Sequence, residues 1–116
     1  MRAQERAIPT APSLQELRAH REELLDLASR SGITAVAVFG SVARGTSTNG
    51  SDIDLIVDAE PGTSYFSLAA FALGAEALLG RSVDAVFRSG LRRGRDDAVL
   101  RDAVPLCRTD PRAGST

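Results

Sequence analysis

VFGSVARGTSTNGSDIDLIVD, residues 38–58, sets two problems that one fold must solve together. A Gly-Ser pair at Gly40 and Ser41 ends an apolar run, ten residues of small and turn-forming character follow, and Asp52 and Asp54 then flank a single isoleucine. Alternation along a strand puts both aspartates on one face, close enough for unpaired carboxylates to repel. That placement needs a positive charge nearby.

Upstream, Ile33–Phe39 is apolar on both parities and rich in β-branched residues, which reads as a strand buried on both faces. Gly40 ends it, SVAR forms a short helix, and the loop GTSTNG leads into a second strand over SDIDLIVD. Ile53, Leu55 and Val57 then share one face, and Asp52, Asp54 and Ile56 the other. Further upstream, Ser13 and Glu16 make a capping box that opens a helix running to about Ser31, with Gly32 as its stop.

Downstream, a helix is expected from Thr63 to Leu79, stopped by Gly80. It is apolar nearly all round, which predicts burial against more than the sheet. Ser82–Arg88 reads as a third strand carrying Asp84, GLRRGR as a basic turn, DDAVLRDAV as a short helix ended by Pro105, and CRTDPRAGST as a polar tail. The fold class is therefore α/β (α+β): a small mixed sheet of three or four strands with helices packed on it. A single domain, 13–107, lies between a flexible arm at 1–12 and the tail at 108–116.

Composition narrows the chemistry. The chain has 116 residues, 43% apolar and 25% charged, enough for one core and one soluble domain. Net charge is −1, aromatics are 4% and tryptophan is absent, so neither a basic groove nor a stacking platform argues for nucleic acid. All 14 basic residues are arginine, which removes lysine nucleophiles and a Walker-type phosphate lysine. Cys107 is the sole cysteine and His20 the sole histidine; neither builds a metal or disulfide site, and His20 reads as a surface residue. No run reaches the ~20 apolar residues of a membrane span, and the first residues lack a signal peptide's apolar core, so a cytoplasmic location is expected.

With no lysine, the natural counter-charge for Asp52 and Asp54 is a hard divalent cation such as Mg²⁺, with Asp84 completing the set from a neighbouring strand. Three such carboxylates suit two ions, one serving an attacking oxygen and one a nucleotide's phosphates. Gly40 lets backbone approach a phosphate, the amides of Ser41–Ala43 and the Ser41 hydroxyl supply donors, and Arg44 reaches terminal phosphates. Taken singly, each has a structural reading: Asp52 bonding the loop at Asn49 and Gly50, Asp84 a solvated strand residue, Gly-Ser a turn. Their order along the chain favours the metal-nucleotide reading.

FGSVARGTSTNGSDIDLIVD resembles the signature of the polymerase-beta nucleotidyltransferase superfamily, Gly-Ser followed at this spacing by Asp-x-Asp. Within it the chain is most similar to the minimal nucleotidyltransferases of the MNT type, the partners of HEPN toxins; GRSVDAVF matches the family's third-strand element and LRDAVPL its closing helix-strand segment. The resemblance implies that Gly40 and Ser41 bind nucleotide phosphate, that Asp52 and Asp54 hold Mg²⁺, and that Asp84 is third carboxylate and base. It implies ATP as donor and AMP transfer to a tyrosine of a HEPN toxin encoded by a neighbouring gene, making the protein the antitoxin of a type VII-like pair. Eleven residues after Pro105 leave no acceptor lobe, so a second chain is expected to bring the acceptor. The apolar helix is a surface for that docking, with a homodimer as the competing occupant. Two other functions stand beside this one: a non-catalytic antitoxin acting by binding, and nucleotidyl transfer to a small molecule such as an aminoglycoside.

Overall fold

A computed structural model describes residues 11–48, 50–91 and 94–108, the last two as backbone only. Residues 1–10 of the expected arm, the arginine pair of the basic turn and 109–116 of the tail lie outside the described residues. The elements run α1 (Leu14–Ala19), α2 (Arg21–Arg30), β1 (Ile33–Phe39), α3 (Gly40–Arg44), β2 (Ile53–Ala59), α4 (Tyr65–Leu79), β3 (Val83–Phe87), α5 (Asp97–Asp102) and β4 (Val104–Arg108). A single 3₁₀ turn, Arg88–Gly90, follows β3.

The sheet order is β3-β2-β1-β4. β1 lies antiparallel to both β2 and β4, while β2 and β3 are parallel and joined by α4 as the crossover that parallel pairing requires. One face of the sheet, including Val36, Val38, Ile53, Leu55 and Val57, packs with Leu24 and Ala28 of α2 and Leu68, Phe71 and Ala75 of α4. Burying such side chains gains about 1.5–3 kcal/mol each, which is why Val36, Val38, Ile53, Leu55 and Val57 on this face are apolar. On the other face, Ile56 and its cross-strand neighbour Ala37 are buried as well.

The structure corrects several expectations. The helix expected from Ser13 to Ser31 is two helices that meet at His20. Ser13 does cap the first, its Oγ accepting from Glu16 N–H at 3.1 Å, but His20 leaves the helical φ/ψ region and serves as the end of α1 and the start of α2. His20 is half-buried, not a surface residue, and its Nδ1 is buried without a hydrogen bond among the described residues. The polar tail expected from Cys107 starts later, because Cys107 and Arg108 close β4, the strand that the match of LRDAVPL implied, which pairs with β1 as an edge strand. Pro105, which lacks a donor, is tolerated at an edge. As expected, α4 is buried against more than the sheet, its Gly74 lying against Leu27 of α2, but its outer side is open. Phe66 and Leu73 on its outer side are 89% and 66% exposed, while Tyr65 at its start, 76% exposed, sets its ring centroid 5.3 Å from that of Phe87.

α4 follows the Ser64 cap, whose Oγ accepts from Ser67 N–H, so its first helical residue is Tyr65, two later than the expected Thr63, and it ends at Gly80 in the left-handed conformation. Pro12 is buried against the domain, its carbonyl accepting from Ser47 Oγ. No described helix is long and apolar enough to cross a membrane.

Candidate functional site

The two halves of the opening motif meet at one end of the sheet. β1 delivers the chain to Gly40, and register pairs Phe39 with Asp54 across the β1–β2 ladder. Gly40 has φ +73°, a region that disfavours any side chain, and a Cβ built there would stand 2.5 Å from Asp54 Oδ2. Glycine is therefore required twice over, once by the backbone and once by the carboxylate lying against it. The turn feeds directly into α3, so Ser41 stands in the first turn of a helix and Arg44 in its last.

Parallel pairing of β2 with β3 sets Asp54 directly beside Asp84. Neighbouring strands run about 4.8 Å apart, so two carboxylates at paired positions on one face cannot avoid one another. Asp52 sits two residues earlier, just ahead of β2, at the end of the loop from α3. Ser51 helps to close that loop: its Oγ accepts from Thr48 N–H at 2.8 Å and its own N–H donates to the Thr48 carbonyl, while the expected contact of Asp52 with Asn49 lies outside the described residues. Asp52 and Asp84 are exposed and Asp54 is half-buried.

The electrostatics follow from this placement. Burial pushes the Asp54 carboxyl above the usual carboxylate range, and the negative charges of Asp84 and Asp52 push it further; the Arg44 guanidinium pulls the other way without cancelling them. Every residue singled out by the sequence for phosphate or metal thus lies at one end of the sheet, in a field that is net negative. Among the described residues, no group of three or more potential ligand side chains stands gathered to hold an ion. The donor set itself, two exposed carboxylates and one held unwillingly charged, fits a hard divalent cation with oxygen ligands.

One contributor escaped the sequence reading. Glu76, the single charged residue of α4, accepts from Val83 N–H at 3.0 Å. Val83 is the first residue of edge strand β3 and the neighbour of Asp84, so this bond fixes where β3 begins. The signal was a lone carboxylate in an apolar helix, which marks a polar contact without naming its partner.

Comparison with known proteins gives a consistent picture. The nucleotidyltransferase domain family matches residues 17–106. A protein adenylyltransferase MntA from Thermococcus cleftensis is 40% identical over 88 residues, covering 76% of this chain and 86% of that protein. A minimal nucleotidyltransferase of solved structure superimposes with a TM-score of 0.71 at 46% identity, covering 81% of this chain and 96% of its own. A chain from the complex of a tri-AMPylated Shewanella oneidensis HEPN toxin with MNT antitoxin shares the fold, with a TM-score of 0.59, 16% identity, and coverage of 85% and 77%.

Proposed function

The chain belongs to the nucleotidyltransferase domain family, and on that premise we propose that it is a Mg²⁺-dependent protein adenylyltransferase. It moves AMP from ATP to a tyrosine hydroxyl of a HEPN-type toxin and acts in the cytoplasm as the antitoxin of a type VII-like pair. The observation that carries this reading is the register: Asp54 is held between the Gly40 turn and Asp84, so the phosphate-facing and metal-facing motifs share one surface. The 40%-identical relative is named a protein adenylyltransferase, and the Shewanella complex contains an AMPylated HEPN toxin.

In this reading Asp52, Asp54 and Asp84 hold Mg²⁺, which when bound neutralises the clustered carboxylates and the charge developing on the phosphates. Gly40 gives the triphosphate an approach free of side-chain bulk, and backbone donors at the start of α3 with the Ser41 hydroxyl orient it. Arg44 counters the charge on the departing pyrophosphate. The acceptor oxygen forms a bond to the α-phosphorus as the bond from that phosphorus to pyrophosphate breaks. Asp84, exposed on the edge strand, is the group an incoming hydroxyl from another chain reaches, and it takes the proton.

The test is incubation of this protein and the HEPN toxin encoded beside it with α-labelled ATP and Mg²⁺. Label on a toxin tyrosine is expected. Absence of label, together with full neutralisation by an Asp52→Ala/Asp54→Ala variant, would replace catalysis with inhibition by binding alone.

A further inference from the structure

Helix α4 has an inner side that the core explains and an outer side that nothing yet explains. Inside, Leu68, Phe71 and Ala75 are buried. Outside, Phe66, Ala69, Ala70, Leu73 and Ala77 recur at i, i+3, i+4, i+7 and i+11, and all five are exposed. The helix's one charge, Glu76, is engaged with Val83 and does not interrupt this stripe. A helix apolar on two sides is the mark of a helix with two partners.

The stripe has an internal symmetry that selects among partners. A second copy of α4 laid antiparallel, with the two-fold axis between Phe71 and Ala72, half a residue from the helix midpoint at Ala72, brings together positions equidistant from that axis. Phe66 then meets Ala77, and Leu73 meets Ala70. Each large side chain faces a small one, so ridges enter grooves, and every contact occurs twice, as an isologous interface demands. Sliding the pair by four residues sets Leu73 against Phe66 in one direction and carries Phe66 past the end of the partner helix in the other. The antiparallel arrangement also sets each helix's positive end beside the other's negative end.

We propose that the outer side of α4 is the contact surface of a homodimer, formed by antiparallel pairing with α4 of a second copy. A 15-residue helix is about 22 Å long, and a strip of that length buries less than the roughly 800 Å² per partner of a standard interface. The dimer is therefore reversible and depends on concentration. The inference does not rest on the adenylyl-transfer reading; it concerns a surface made by different residues.

Sedimentation of the full chain over a concentration series tests it directly. The wild type should move from 12.2 kDa toward twice that mass. Ala77→Phe, which sets Phe against Phe66 of the other copy, should weaken association by about tenfold or more, and Leu73→Glu should give monomer at every concentration. The decisive variant is Phe66→Ala/Ala77→Phe, which restores a large-to-small pair with the roles exchanged and should regain the dimer that Ala77→Phe loses. Since all these positions are exposed, circular dichroism should show each variant folded. A wild type that stays monomeric to about 1 mM overturns the proposal, including the case where Leu73→Glu instead abolishes capture of the HEPN toxin. Equal association of Ala77→Phe and the double variant overturns the antiparallel register.

Discussion

The carboxylate end of the sheet and the outer side of α4 are both unfinished surfaces, but they are unfinished in opposite ways. At the sheet end, like charges are brought together by backbone register, and what is missing is opposite charge. On α4, apolar side chains are left in water, and what is missing is cover. The first deficit depends on pH and ions, because it is Coulombic and the groups titrate. The second depends on protein concentration and hardly on salt, because apolar burial carries no charge.

The contrast is most severely tested by removing the charges. Asp52→Asn/Asp54→Asn should lower AMP transfer by on the order of a thousandfold or more, since in the proposed mechanism both carboxylates act on the transition-state charge. The same variant should leave sedimentation unchanged. If it altered the association state, the two surfaces would not be independent.

Next in size is Gly40→Ala. The new methyl meets Asp54 Oδ2 at 2.5 Å in a backbone region that resists side chains, so a loss of about 1–3 kcal/mol in stability is expected. Thermal melting should drop by several degrees, and transfer activity should fall because Asp54 is displaced.

A third test uses the sign of the Asp54 shift. A carboxyl whose folded pKa is raised favours the folded state while it is protonated, below its unfolded pKa, and this advantage is lost as pH rises through the folded value. At neutral pH the ionised cluster is therefore a burden that a divalent cation relieves. Added Mg²⁺ should raise the melting temperature by a few degrees at pH 7.5 and by progressively less as pH falls toward Asp54's raised titration range. Asp54→Asn should melt higher than the wild type without Mg²⁺ and lose most of the response. An equal Mg²⁺ effect at pH 5 and pH 7.5 would sink this account.

The smallest expected effect is on the other surface. Leu73→Glu should change the melting temperature of the monomer by no more than about 0.5 kcal/mol equivalent, as exposed substitutions do, at any pH in that range. A large loss would mean that Leu73 packs within its own chain.

How much of this could be read from the sequence differs between the two regions for a physical reason. The motif from Gly40 to Asp54 was legible because its constraints are local: strand alternation fixes the face of the aspartates, and glycine marks the turn. Asp84 was legible as a strand residue with a polar side chain, but its pairing with Asp54 is a matter of register across 30 residues, which no local pattern encodes. The break at His20 was missed because Leu14, Leu17, Leu24 and Leu27 keep a helical rhythm through it. β4 was missed in part because Pro105 reads as a terminator, and only its edge position makes it compatible with a strand. On α4 the sequence showed a helix apolar all round, which fits a buried helix and a two-partner helix equally well; the exposure of Phe66 and Leu73 separates the two.

The sheet order also sets a timetable. Its first strand, β1, completes its pairing only with the last, β4, and Asp54 gains Asp84 only after the α4 crossover has closed. Such distant pairings form late in folding, after the local helices and the β1–β2 hairpin. During synthesis, the Gly-Ser and Asp-x-Asp segments leave the ribosome well before β3 does. A nascent chain thus carries the whole signature with only two of its three carboxylates, and the site comes into being when β3 docks.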